Sequence, residues 1–436
     1  MPRFSGKDQK TTINAPIGVV SDIPDAITHE GAAGWGRDAK SDLFLLSVTN
    51  MVGQDTFYES AEIRDKRFRD LVRKVAKEDP DWMARFIPYL RDTMNMRTAS
   101  VVATVESVRA LLGSEHGINL RSLVDSAIIR ADEPAEMIGY HLSEYGRNLP
   151  MPIKRGVADA VRRVYNERSA LKYDGQGNKV RMGDVIDLVH PEPVGEEQSV
   201  LFRYMLDRRH SREWPEAGYA LPVITATREI DMIPVELRRE TLLASAEAGT
   251  NFFAGTAFTW ERVSGWINGP MDAPVWEAII PQMGYMALLR NLRNFEQAKI
   301  SKDMVEYVKA KLTDPDEVLR SRQFPFRFLS AYRAQESFIF AQSIEEALDL
   351  SVRNVPEFSG RSLVLVDVSG SMAGTLSERS KVSRWDVGAL LGAVLSVRSA
   401  GVDLVAFGTD SAAVDVPAGA SILKIAQKIT EMARRG

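Results

Sequence analysis

The chain has 436 residues, with 55 Lys and Arg against 59 Asp and Glu and a formal net charge of −4. Apolar residues make up 44% and charged residues 26%, the balance of an ordinary globular protein long enough for two or more cored domains, and it excludes indiscriminate polyanion binding while leaving room for a local basic surface. Zero cysteines exclude disulfides, thiol catalysis and thiolate zinc sites, and no apolar run approaches the roughly 18 residues a membrane span needs.

Residues 1–11 are polar and basic with no apolar core, so they do not form a secretory signal, and a cytoplasmic location is expected. From about Leu43 to Leu350 the chain reads as helix after helix. In Arg67–Pro80 the apolar positions Phe68, Leu71, Val72 and Val75 make one helical face that ends at a proline, and Trp82–Met94 follows as the next unit. The same rhythm recurs in segments beginning at Leu120, Ala135, Arg155, Val200, Pro234 and Trp276, joined by short loops containing Pro, Gly, Asn or Asp. No fixed sequence period emerges, and the pattern predicts an α-solenoid of degenerate helix pairs.

Charge is unevenly placed along this section. Between Lys154 and Arg181 the basic residues Lys154, Arg155, Arg162, Arg163, Arg168, Lys172, Lys179 and Arg181 outnumber Asp159, Glu167 and Asp174. Arg155 and Arg162 stand two turns apart on one predicted helix and share a face, the arrangement that lines up on phosphates. A Gly-rich loop runs from Lys172 to Lys179. A second basic group, Arg64 to Lys77, is interleaved with Glu62, Asp65 and Asp70, and reads as a solvated helix of paired charges. Arg290 and Arg293 project from the face opposite Leu288, Leu292 and Phe295. Trp260, Trp266 and Trp276, spaced among aliphatic residues, read as core. The five histidines are scattered with no metalloprotease, phosphate-loop or nucleophile-elbow pattern, so a non-enzymatic role is expected.

The C-terminal segment changes character. Leu363 to Val366 is a short continuous apolar run, as in a parallel strand covered on both faces, and Asp367, Ser369 and Ser371 follow at its carboxyl end. One carboxylate and two hydroxyls on a loop that turns at Gly370 suit a hard divalent cation such as Mg²⁺. An apolar stripe through Val387, Leu390, Leu391, Val394 and Leu395 predicts a helix, and the run from Val402 to Phe407 a second strand, which together begin a parallel α/β sheet.

With Asp367, Ser369 and Ser371 in the order Asp-x-Ser-x-Ser, this segment resembles a von Willebrand factor A domain and its metal-ion-dependent adhesion motif. That family completes the site with a Thr and an Asp from two later loops. Thr409 and Asp410 match neither position, and the chain stops at Gly436, so the expectation is the N-terminal half of such a domain, finished by a longer parent chain or by something else.

Stretches at Asp42–Ser60, Val185–Pro193, Trp276–Ile300 and Phe324–Ala334, above all Met286–Phe295, resemble the TROVE module of the Ro autoantigen family. The resemblance runs from about Lys40 to Arg353, and the order TROVE module then A domain is that family's architecture. It implies a multidomain protein: an N-terminal extension (1–39), a ring of HEAT-like helical repeats (40–355) and an incomplete α/β A-like domain (356–436) that latches the ring. It further implies an RNA-binding scaffold, with structured Y-like noncoding RNA on the outer surface and single-stranded RNA ends in the hole. An exoribonuclease such as polynucleotide phosphorylase is implied as a partner. The family's RNA contacts fall on Lys172 and His190, while a further family Arg has no counterpart where Gly175 and Gly177 stand. Arg155, Arg162, Lys179, Arg181, Arg290 and Arg293 are the added candidates for phosphate contact. The alternative is a metal-dependent protein-interaction module on a helical platform.

Overall fold

The computed structural model describes residues 26–27, 31, 33–34, 36–49, 60–210, 220–375, 382–417 and 419–433. They fall into two compact units, 1–224 and 225–436. Helices dominate both, followed by a small mixed sheet near the C-terminus, so the expected helical-repeat section plus A-like domain is the fold observed. No helix among the described residues is long and apolar enough to cross a membrane.

In the first unit, helix Ala61–Glu78 buries Phe68, Val72 and Val75 on one face, as the spacing predicts. Asp79 ends it and caps the next helix, Pro80–Pro88, by accepting a hydrogen bond from the Trp82 amide at 2.9 Å, with Pro80 in the first turn where a missing N–H costs nothing. The Trp82–Met94 unit is therefore two pieces, because the α-helix gives way at Pro88 to a π turn over Tyr89–Thr93. Helix Arg97–Leu111 is buried nearly all round and keeps to small residues such as Ala99, Ser100, Ala103 and Ser107. Helices Leu120–Ser126 and Met151–Val164 approach so closely at Gly156 that a Cβ there would lie 2.5 Å from the Val124 Cβ, which only glycine avoids.

The buried charges of this unit are paired. Glu106, fully enclosed, accepts from Arg73 Nε at 2.6 Å, Tyr140 Oη at 2.6 Å and Tyr145 Oη at 2.7 Å. Arg91 meets Glu133 at 2.5 Å, and the same carboxylate accepts the Ile129 and Arg130 amides. Each of these two carboxylates accepts three hydrogen bonds, at least one from a guanidinium, which offsets the cost of burying its charge.

The second unit carries helices Val235–Glu247, Trp260–Trp266, Ala273–Ile279, Tyr285–Ala298, Lys302–Leu312, Pro315–Ser321, Pro325–Ala334 and Ala341–Ser351 ahead of the sheet. The long unit expected from Trp276 onward is broken in two by the 3₁₀ turn Ile280–Gln282, which contains Pro281. Strand Phe358–Asp367 runs parallel to Ser399–Phe407, with Leu365 opposite Val405 and Asp367 opposite Phe407, and Ser411–Val414 returns antiparallel on the far side. Helix Arg384–Val397 makes the crossover. Gly392 lets it sit on Val366, where a Cβ would come within 2.5 Å of Val366 Cγ2.

One sequence expectation fails here. Among the described residues the apolar strand Leu363–Val366 lies at the sheet's edge and is covered on one face only: Val366 is buried, whereas Leu363 and Leu365 are each 58% exposed. Their side chains alternate away from the helices, and no described layer covers the opposite face. The crossover helix likewise buries Ala389, Leu390, Ala393 and Val394 and turns Leu391 to solvent.

Candidate nucleic-acid interface and metal loop

The basic segment of the first unit is built on two helices and a pinned loop. Asn166 and Ser169 form a reciprocal capping box that starts helix Glu167–Tyr173. At its end the buried Asp174 accepts from Arg181 Nη2 at 2.8 Å and from the Met182 amide at 3.0 Å, while Asn178 Nδ2 donates to the Tyr173 carbonyl at 2.7 Å. This closes the loop into a fixed shape. Lys172 and Lys179 are exposed on it and line one cleft of about 470 Å³, together with Tyr173 and Asn178. The Tyr173 ring has Lys172 Nζ at 5.1 Å and the Arg130 guanidinium at 5.7 Å. Across the cleft, Asp132 and Glu136 are already held by Arg97 at 2.9 and 2.6 Å, so the lysines are the uncompensated charges.

The remaining sequence candidates divide. Arg155 is exposed, but Arg162, two turns on, is half-buried with its Nε enclosed and without a hydrogen-bond partner, so the shared phosphate face is reduced to Arg155. Arg163 is turned onto Asp125 at 2.6 Å and the Ile128 carbonyl at 2.9 Å. Arg181 is a correction: it is buried and its charge is used on Asp174, so it closes the loop from within and offers nothing to a surface ligand. His190 is exposed and caps helix Met182–Val189 in the left-handed region at φ 48°, where glycine or asparagine is the ordinary choice. It lines a separate cleft of about 420 Å³ with Pro191, Phe202 and Arg203. Lys172 and His190, paired by the resemblance, thus border different clefts.

In the second unit Arg290 and Arg293 are exposed opposite the buried Leu288, Leu292 and Phe295, as expected. Arg293 is paired with Glu336 at 3.1 Å, and Arg290 lies 5.8 Å from the Trp260 ring. Trp266 and Trp276 are core. The interleaved group at 64–77 is a paired face: Arg69 meets Glu144 at 2.7 Å and Arg73 meets Glu106 on other helices, and Arg73 also meets Asp70 at 3.3 Å on its own.

Beyond strand Phe358–Asp367, Ser369 Oγ and Ser371 Oγ converge to 3.0 Å, and Asp367 Oδ1 accepts the Ser369 amide at 2.8 Å. Trp385 Nε1 donates to the Ser369 carbonyl at 2.7 Å, holding the loop against the crossover helix. A cleft of about 550 Å³ opens here, lined by Ser369, Gly370 and Trp385 and also by Thr409 and Asp410 from the neighbouring strand's exit. Among the described residues no group of three or more His, Asp or Glu side chains is placed to hold a metal. The donor set is therefore one carboxylate and two convergent hydroxyls, which fits a hard dication that keeps most of its water.

Sequence reasoning missed the link between the helices and the sheet of this unit. Both Arg333 guanidinium ends, from helix Pro325–Ala334, donate to the two carboxylate oxygens of Asp386, which also accepts from the Ser383 amide and hydroxyl at 2.7 Å. The signal was present as an Asp at the third position of a capping box, but its partner lies 53 residues away.

Comparison with known proteins adds three findings. Residues 238–339 match the TROVE domain model. Telomerase protein component 1 of Rattus norvegicus and of Mus musculus are each 40% identical over 90 residues, 20% of this chain; the match spans only 3% of the length of those relatives. The crystal structure of the Deinococcus radiodurans RO (RSR) protein superposes with a TM-score of 0.63 at 16% identity, covering 90% of this chain and 80% of that one, which is a likeness of fold.

Proposed function

We propose that this chain, a TROVE-domain protein of the Ro type, is an RNA-binding scaffold whose first contact surface is the cleft of Lys172 and Lys179. The observation that carries the proposal is a pair of exposed ammonium groups, without acidic partners among the described residues, beside an aromatic ring at a cleft of nucleotide size. Lysines supply the phosphate attraction and Tyr173 a face for a base. Arg155, exposed on helix Met151–Val164, is a further cation for phosphate contact. In the finer reading, a structured Y-like RNA lies on the outer basic surface and single-stranded ends enter a central hole. The RNA would then tether an exoribonuclease such as polynucleotide phosphorylase for noncoding RNA quality control in the cytoplasm, with the chain itself acting as scaffold rather than catalyst.

Binding of a hairpin RNA with a single-stranded tail, titrated at several salt concentrations, tests the reading. Affinity is expected to fall steeply with salt, and a salt-independent affinity would sink it.

A second reading draws on the metal loop. Asp367, Ser369 and Ser371 would hold Mg²⁺, whose contribution when bound is a positive centre able to take a partner's carboxylate. The convergent hydroxyls and the adjoining cleft favour it. Calorimetric titration of Mg²⁺ into the protein and into Ser369→Ala decides: heat lost in the variant supports the site, and equal heats reject it.

A further inference from the structure

We propose that Phe324 and Phe326, with Arg322 and Arg327, form a base-stacking platform for single-stranded RNA. The inference rests on the RNA-binding reading above and places a second contact in the second unit, inside the TROVE match. Phe324 is 61% exposed, an aromatic side chain left largely in water. Its ring lies nearly parallel to that of Phe326, at 5.6 Å between centroids and 12° between planes. A stacked pair of this kind presents a flat apolar face that another ring can extend.

No structural duty accounts for that exposure. Phe324 stands at the N-cap of helix Pro325–Ala334 with no side-chain capping bond, and the packing of that helix is carried by the buried Phe328 and Leu329. Charge completes the pattern. The Arg327 guanidinium lies 5.3 Å from the Phe326 ring. Arg322, exposed, is the C-cap of helix Pro315–Ser321 at φ 49°, a left-handed position uncommon for a non-glycine residue. Neither guanidinium has an acidic partner among the described residues, whereas the adjacent Arg320 pairs with Glu317. Flat rings with one uncompensated guanidinium at 5.3 Å, and a second exposed arginine two positions before Phe324 in the sequence, match the alternation of base face and phosphate along a single strand. A protein partner would need its own acids to answer both arginines.

The test is fluorescence anisotropy of a short single-stranded RNA carrying 2-aminopurine, with the full chain, Phe324→Ala and Phe324→Trp. Alanine is expected to weaken binding by about 5- to 140-fold, the worth of one stacked base, and to relieve the quenching of 2-aminopurine. Tryptophan is expected to preserve both. Tight, quenched binding by Phe324→Ala equal to that of the unaltered chain overturns the platform while leaving RNA binding intact. So does a Phe324→Ala variant that keeps its RNA but loses a protein partner. No binding by the unaltered chain overturns the RNA reading itself.

Discussion

Lys179 and Arg181 stand two positions apart on one loop, yet their side chains do opposite work. Lys179 is in solvent at the rim of a cleft, and Arg181 is buried on Asp174. Replacing both Lys172 and Lys179 by alanine is expected to leave the thermal midpoint within a degree or two. The same change should reduce the slope of log affinity against log salt by about 1.4 to 1.8, the release of two counterions, read by RNA titration at several salt concentrations. Arg181→Ala is expected to act the other way. It removes the nearest cation of a buried carboxylate, leaving Asp174 the Met182 amide at 3.0 Å and Arg208 at 3.6 Å, and should cost about 3 kcal/mol of stability by denaturant unfolding. Both residues read alike in the sequence, as basic positions in a Gly-rich loop. What separates them is the depth of Asp174, and depth depends on the packing of helices Glu167–Tyr173 and Met182–Val189 rather than on local composition. The convergence of Ser369 and Ser371, by contrast, was legible, because two hydroxyls two residues apart on a tight turn have few other directions to take.

At the scale of elements, helices were legible wherever one face was apolar and interruptions went unseen where a proline sat inside an apolar run, as at Pro88 and Pro281. Long-range polar links were not legible at all. Arg333 and Asp386 tie a helix of the TROVE match to the helix that follows the metal loop, and Asp386 is nearly buried. Burial raises the Asp386 carboxyl, but the bonds from Arg333 and Ser383 together outweigh it and hold the pKa below the ordinary 3.8. A depressed carboxylate contributes stability that is present above the unfolded value and is lost as pH falls through the folded one. Stability of the second unit should therefore decline below about pH 4. Arg333→Ala should cost about 3 kcal/mol at neutral pH, the low end for a buried pair because Arg333 keeps part of its water. It should also flatten the acid limb, and urea unfolding across pH measures both effects. In the first unit His141 on helix Glu133–Tyr145 is fully enclosed, and burial, then the nearby charge of Arg109, lowers its pKa from the ordinary 6.5. The unfolded chain binds that proton more readily, so stability falls as pH drops below about 6.5. A His141→Gln variant should lose that dependence in the same measurement.

For the whole molecule the decisive fact is that apolar burial forms two separate clusters. One runs from Leu43 to Ile224, and the other from Ile230 to Ile429, where it joins the helices ahead of the sheet to the sheet itself. The sequence reading changes domain near 355/356, where helix gives way to strand, and the compact units of the structure are 1–224 and 225–436. Val366, Leu404 and Ile425 pack in the same cluster as Phe295 and Ile344, so the A-like segment and the preceding helices share one core. A cavity made in that core should therefore be felt across both. Phe295→Ala removes a fully buried ring that meets Trp276 edge-on at 5.1 Å and should cost about 3 to 5 kcal/mol. Amide hydrogen exchange is expected to show lost protection in the helices from Trp260 onward and in strand Ser399–Phe407 alike, with helices Ala61–Glu78 and Arg97–Leu111 unchanged. Were the A-like sheet a unit of its own, its strands would keep their protection in Phe295→Ala. Loss confined to the helices would move the division of the molecule back to the place where the secondary structure changes.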